Sequence, residues 1–179
     1  MAAIKWEGVF PAVTTKFHAN EELDYKEMEK HFAFQIDAGV DGLVTCGSLG
    51  EASTLSFDEK LDVTRVALET ADKRIPVLVN VSETRTLNAC RFVEKAAAMG
   101  VQGLMVFPGL TYRSDDRETV EYYRSIARST KLGLMIYNNP RGYGVDMRPD
   151  LLAQLADEPN VVAIKEETYD TTRVTDLYA

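Results

Sequence analysis

Residues 161–167 read VVAIKEE, and the reading of this stretch sets the reading of the whole chain. Val161, Val162, Ala163 and Ile164 form an unbroken apolar run of the kind buried on both faces of a parallel sheet. Lys165 follows at once, with no loop residue between. Burying an ammonium is costly unless it is paired or gives up its proton, so this lysine needs a reason to be there.

Upstream, the same kind of run recurs at 8–14 (GVFPAVT), 41–47 (DGLVTCG), 75–81 (IPVLVNV), 101–107 (VQGLMVF) and 132–138 (LGLMIYN), which with 160–165 makes six predicted strands. Helical spacing fills the intervals. The clearest case is 56–71, SFDEKLDVTRVALETA, where Ser56 and Glu59 make a capping-box pattern and Leu61, Val66 and Leu68 line one face. Segments 24–38, 85–99, 117–129 and 149–156 also read as helices, and AGVDG and MGVQG put glycine at helix exits.

Strand and helix alternating about every thirty residues is the βα repeat of a parallel α/β protein. No linker or low-complexity segment interrupts it, so 1–179 reads as a single domain. A doubly wound open sheet and a (β/α)8 TIM barrel both fit the repeat. Against the open sheet, the first strand runs into TTKFHANEEL rather than a glycine fingerprint. A barrel needs eight strands and typically ~250 residues, so six strands predict an incomplete chain. The count alone leaves both folds open.

Composition narrows the function. The chain is 45% hydrophobic and 27% charged, an ordinary balance for a globular domain. A formal net charge of −8 argues against nucleic acid and against anionic membrane surfaces, which need basic patches. Cys46 and Cys90 stand in unrelated contexts and fit a reduced cytoplasmic compartment. No signal-peptide pattern opens the chain, and no apolar run approaches the ~20 residues of a membrane span.

In either fold, ligands bind at the carboxyl ends of the strands. Those ends carry Thr14 and Thr15, the loop CGSLGE (46–51), Asn80, Phe107-Pro108-Gly109, Tyr137-Asn138-Asn139-Pro140, and Lys165-Glu166. In CGSLGE, glycines flanking Ser48 let backbone N–H groups converge on an anion; a plain tight turn is the simpler reading. Tyr137 is placed to move a proton or merely to plug the core with its hydroxyl in water. Lys165, if desolvated, becomes a neutral amine able to attack a carbonyl carbon; the alternative is a side chain that snorkels or pairs with Glu166 or Glu167. Taken together, the three describe one site: carboxylate held, keto carbon attacked, proton shuttled. His18 and His31 lack metal-ligand spacing and read as structural or solvated, Glu51 as a brace for its loop, and the acidic pairs 21–22 and 166–167 as solvated faces.

GSLGE, YNNP and VVAIKE, in this order and spacing, resemble the dihydrodipicolinate synthase / N-acetylneuraminate lyase family, as do GVFPAVTTKF and IPVLVNV. The resemblance covers essentially the whole chain. It implies a (β/α)8 barrel of which only about six βα units are present, the last two and a C-terminal helical extension being absent. It also implies a homotetramer and class I chemistry with neither metal nor cofactor. By motif, Lys165 would form a Schiff base with a 2-keto acid and Tyr137 would relay protons. Ser48 would hold the C1 carboxylate together with Gly47 and Leu49, and its hydroxyl would orient Tyr137.

The departures concern substrate. Leu49 stands where the family often has a second hydroxyl residue. Leu110 replaces the relay tyrosine after the strand-four proline, with Tyr112 two residues on. Gly142 stands at the family's carboxylate-binding arginine, with Arg141 one residue early. The CGSLG loop, GLMVFP and the YNNPRGYG turn are more similar to the branch that deaminates and opens 1-pyrroline-4-hydroxy-2-carboxylate, with 4-hydroxy-tetrahydrodipicolinate synthesis and 2-keto-3-deoxy sugar acid aldolases or dehydratases as the alternatives. A binding module that senses a keto acid without turnover is the reading from another class.

Overall fold

A computed structural model describes residues 4–109 and 112–178. Five parallel strands form its sheet: β1 (Leu43–Thr45), β2 (Val77–Val81), β3 (Gly103–Val106), β4 (Gly133–Asn138) and β5 (Val161–Glu166). Their spatial order is β1-β2-β3-β4-β5, the order of the sequence. A doubly wound sheet reverses direction at a switch point; a barrel wall does not. The strand order therefore settles what the strand count could not, and the sheet is part of a barrel wall.

Helix α1 (Tyr25–Asp37) precedes the sheet, and α2 (Phe57–Ala71), α3 (Thr86–Met99) and α4 (Asp116–Arg128) connect successive strands. Two short helices, α5 (Pro140–Tyr143) and α6 (Pro149–Ala153), bridge β4 to β5, and α7 (Arg173–Tyr178) follows. Among the described residues, no helix is long and apolar enough to cross a membrane. The Ser56–Glu59 capping box forms as expected, and Asp115 with Glu118 makes a second one at α4. Each such cap is worth about 1 kcal/mol. Gly100 ends α3 at φ 98°, a left-handed conformation that glycine adopts without penalty.

Alternation along the strands divides two cores. Leu43, Val77, Val79, Leu104, Val106, Leu134 and Ile136 face the helices, packing on Phe32, Phe92 and Ile126. Val44, Leu78, Met105, Phe107 and Tyr137 face the other way, with Trp6, Phe10, Met135 and Tyr143 packed against them. This second face is the concave inside of the wall. Trp6 lies so close to the strand starts that a Cβ on Gly133 would stand 2.8 Å from its ring, so that position requires glycine.

Two expectations change. The strand predicted at 8–14 is reduced to one parallel bridge, Ala12 to Val44. Val13 N–H donates to Val44 O and Val44 N–H to Pro11 O, both at 3.0 Å, but Pro11 has no N–H with which to continue a ladder. The apolar run at 161–164 is not buried on both faces. Val162 is 45% and Ile164 37% exposed, because on that face they line an open groove with Leu152, Leu155, Val174 and Leu177 instead of lying under a packed helix. The other elements fall where they were predicted, with the strand at 41–47 trimmed to Leu43–Thr45 and the helix at 149–156 to Pro149–Ala153.

Candidate active site

Strand register brings the two principal residues together. Tyr137 on β4 and Lys165 on β5 are direct partners in the ladder and both project to the concave side. Lys165 Nζ stands 3.8 Å from the Tyr137 ring centroid, over its face. Partial burial lowers this lysine's affinity for its proton, and the Glu167 carboxylate partly opposes that. The amine lies against the phenol ring rather than extended into bulk water, and among the described residues no carboxylate forms an ion pair with it.

Tyr137 sits in an aromatic cluster. Its ring meets Phe107 edge-on at 5.1 Å and Tyr143 at 5.5 Å, with Phe107 and Tyr143 4.7 Å apart. Burial first, and then its hydrogen bond to Glu167, push the Tyr137 phenol well above its usual range, while Asn139 pulls the other way. Its hydroxyl donates to Glu167 Oε2 and accepts from Asn139 Nδ2 at 3.3 Å.

The loop after β1 is held by its backbone. Cys46 and Glu51 both adopt positive φ, 55° and 57°, and Thr15 Oγ1 donates to Gly50 O at 2.7 Å. A Cβ on Gly50 would lie 3.0 Å from Val13 O and 3.1 Å from the amides of Cys46 and Gly47, so the loop closes this tightly only on glycine. Glu51 braces it with main-chain groups: its N–H donates to Ser48 O and its carbonyl accepts from Thr54. Leu49, 67% exposed, turns its side chain to solvent.

Ser48 does not reach Tyr137 directly. Its Oγ lies 2.6 Å from the hydroxyl of Tyr143, which stands between Ser48 and Tyr137. Burial raises the Tyr143 phenol, and hydrogen bonding with Ser48 and Tyr137 lowers it. Tyr143 therefore joins the candidate site, a residue that sequence reasoning passed over. The YNNPRGYG turn was its only signal, and the short α5 turn that swings it inward depends on Asn139 Oδ1 accepting from Gly142 N at 2.7 Å.

The acidic pair 166–167 is more than a solvated face: Glu167 is exposed, yet both carboxylates are engaged. Glu166 points to the helix side, where Asn138 donates to both its oxygens and Arg173 lies 3.5 Å away. Glu167 turns to the concave side and serves Tyr137. Strand alternation separates the two, and a pair read only as charges hides this.

Arg141 is not aimed at the site: its guanidinium stacks on Tyr169 at 5.1 Å. Tyr112 is 64% exposed and lines a cleft with Thr84, Gly109 and Tyr122, apart from Lys165, Tyr137 and Ser48. Leu110 lies outside the described residues. His31 shares a 3.4 Å hydrogen bond with Thr14, and His18 lies 3.2 Å from Asp24. Among the described residues, no group of three or more His, Cys, Asp or Glu side chains could hold a metal ion. Asn80, on the concave side opposite Met105, is 1% exposed, and neither amide atom has a partner among the described residues.

The fold and the site together are part of a barrel wall of βα units, with a lysine at a strand end beside a buried phenol and a glycine loop. The family model of the dihydrodipicolinate synthetase family matches residues 5–179, and the chain belongs to that family. It is 33% identical over 174 residues to a 4-hydroxy-tetrahydrodipicolinate synthase of Geobacter metallireducens, covering 97% of this chain and 60% of the relative. A Chelativorans protein of the same name is 36% identical over 172 residues, covering 96% and 59%. Among solved structures, E. coli YagE, in complex with pyruvate, superimposes with a TM-score of 0.91 at 30% identity, covering 96% of this chain and 58% of that one. Clostridium difficile CdNal, in complex with mannosamine, gives 0.91 at 25% identity, covering 95% and 59%. The chain thus spans about 60% of the length of the relatives it matches.

Proposed function

We propose that this protein is a Schiff-base-forming lyase acting on a small 2-keto acid or cyclic imino acid, with Lys165 as nucleophile. The placement of Lys165 Nζ over the Tyr137 ring carries the reading. A partly desolvated lysine spends more of its time as the neutral amine, and the neutral amine attacks the electrophilic C2 of a keto acid. The resulting protonated imine withdraws electrons from the neighbouring carbon, so bonds at C3 or C4 can be made or broken. In this scheme the amides of Ser48 and Leu49, after Gly47, receive the C1 carboxylate. Tyr143 holds Ser48 in place, and Tyr137 moves the proton.

Incubation with pyruvate and borohydride should add one reduced pyruvate unit to the intact mass, and Lys165→Ala should abolish the addition. An unmodified wild-type chain, or label that persists in Lys165→Ala, would overturn the reading. Keto-acid binding with no trapping and no turnover would favour the sensing module.

The bond that is cleaved divides two finer readings. Tyr143, from the YNNPRGYG turn, standing at Ser48 supports the deaminase-like branch. The relatives' names support condensation, as in 4-hydroxy-tetrahydrodipicolinate synthase, although Arg141 lies on Tyr169 rather than in the site. Ammonia release from a cyclic imino acid, set against consumption of pyruvate with an aldehyde, separates them. The same proposal takes the protein as a cytoplasmic homo-oligomer, which light scattering on the purified chain tests for assembly.

A further inference from the structure

We propose that Glu167 takes and returns the proton of Tyr137, so that carboxylate and phenol work as one acid–base pair beside Lys165. The inference rests on the Schiff-base reading above and adds a residue to it. Tyr137's hydroxyl donates to Glu167 Oε2, while Asn139 Nδ2 donates to both that hydroxyl, at 3.3 Å, and that oxygen, at 3.0 Å. The carboxylate is positioned by the sheet, since Glu167 N–H donates to Asn138 O at 2.9 Å and extends the β4–β5 ladder by one residue. Ser48 is engaged by Tyr143, so its hydroxyl is not what Tyr137 donates to.

Chemistry then selects the carboxylate. A neutral phenol accepts a proton only as it loses its own, and the group that takes that proton must be basic. A serine hydroxyl or an asparagine amide is not, whereas a carboxylate is. Attack by neutral Lys165 forms the N–C bond and moves the carbonyl electron pair onto oxygen, leaving one excess proton on nitrogen and an oxyanion at C2. The nitrogen proton passes to Tyr137 Oη as Tyr137's own proton passes to Glu167 Oε2. Glu167 then returns its proton to Tyr137, and Tyr137 delivers one to the C2 oxygen. Nitrogen has lost one proton, oxygen has gained one, and both side chains end as they began.

Glu167→Gln is the decisive variant, because glutamine keeps an acceptor oxygen for the Tyr137 hydroxyl but cannot take its proton. Borohydride trapping with pyruvate, followed by mass over a range of pH, should show a plateau rate roughly 10- to 100-fold lower than wild type. Among the described residues, the titratable groups set against Lys165 are Tyr137 on β4, whose ring it covers, and Glu167 itself, with Tyr143 on α5 beside Tyr137. Glu167 favours the protonated lysine, so its loss should also move the pH midpoint of trapping downward. Glu167→Asp, which keeps the carboxylate, should recover part of the rate. An unchanged plateau or midpoint in Glu167→Gln, with wild-type trapping intact, would overturn this inference alone. No trapping in the wild type would remove the Schiff-base reading, and this inference with it. Glu167 is exposed, so both variants should fold, which circular dichroism checks.

Discussion

Lys60→Met should destabilise the protein far more than an ordinary helix substitution. Lys60, in the first turn of α2, places Nζ 2.6 Å from Glu83 Oε1, just beyond β2, with side-chain exposures of 7% and 16%. Deleting the cation leaves the carboxylate in a largely dry setting without its partner, a loss of about 3–5 kcal/mol. For a chain of this size each kcal/mol moves the midpoint by about 2–4 °C, so the expected drop in Tm is roughly 6–20 °C. The attraction within such a pair is largely offset by the desolvation of both members. The double variant Lys60→Met/Glu83→Leu should therefore return to within about 1 kcal/mol of wild type. Urea unfolding at fixed pH measures both, with the slope showing whether the transition stays two-state. A cost below about 1 kcal/mol in the single variant, or a double variant as unstable as the single, would refute this prediction. The consequence reaches the site, because the Lys60 carbonyl also accepts from Cys46 Sγ at 3.6 Å, at the root of the loop that presents Ser48.

Asn80→Leu replaces a fully buried amide that has no partner among the described residues by an apolar side chain of similar size. It should raise stability by about 1–2 kcal/mol in urea unfolding, and a loss instead would reveal a partner for the amide. Tyr143→Phe removes the 2.6 Å contact with Ser48; borohydride trapping should persist while the pyruvate concentration for half-maximal trapping rises several-fold, and an unchanged concentration dependence would exclude Tyr143 from the binding site. Arg173, 2.8 Å away, holds the Asp146 carboxyl below its ordinary value of 3.8. The folded state therefore binds this proton more weakly than the unfolded chain does. The pair's contribution is complete above the ordinary value and is lost as pH falls through the folded one. Asp146→Asn should remove that part of the acid sensitivity, measured as Tm against pH.

How much of this was legible in the sequence depended on the range of the interaction concerned. Ser56 and Glu59 announce α2 because a capping box is local, and Gly100 announces the end of α3 for the same reason. Lys165 was legible because a charge abutting four apolar residues is a contradiction visible in one dimension. Strand order was not legible, since six apolar runs fit two windings equally, and it took the ladder to show that neighbours in sequence are neighbours in space. Neither was the strand at 8–14, where an apolar alternation outweighed the single N–H that Pro11 lacks. Glu166 and Glu167 look alike as letters, yet the pleat sends one to Arg173 and the other to Tyr137. Tyr143 reaches Ser48 across 95 positions, through a turn whose inward swing no periodicity records.

The environment of Lys165 pulls in two directions, and this bears on how the site must work. Desolvation favours the neutral amine, the form that attacks in the proposed scheme; the Glu167 charge favours the cation, as does the face of the Tyr137 ring. If attack were the only demand, the carboxylate would be a handicap. In the proposed scheme, however, the imine that follows draws electrons only while it is protonated, so a carboxylate that hinders the free amine stabilises the cationic form of the adduct. Glu167→Gln should therefore allow attack at lower pH and yet reduce the fraction of chain held as imine at equilibrium. The pH midpoint of trapping and the amount trapped at equilibrium should thus both fall, in addition to the lower plateau rate. A variant whose midpoint falls while the amount trapped at equilibrium is unchanged would mean that the carboxylate acts on the free lysine alone, and the adduct would then owe its stability to the loop at Ser48.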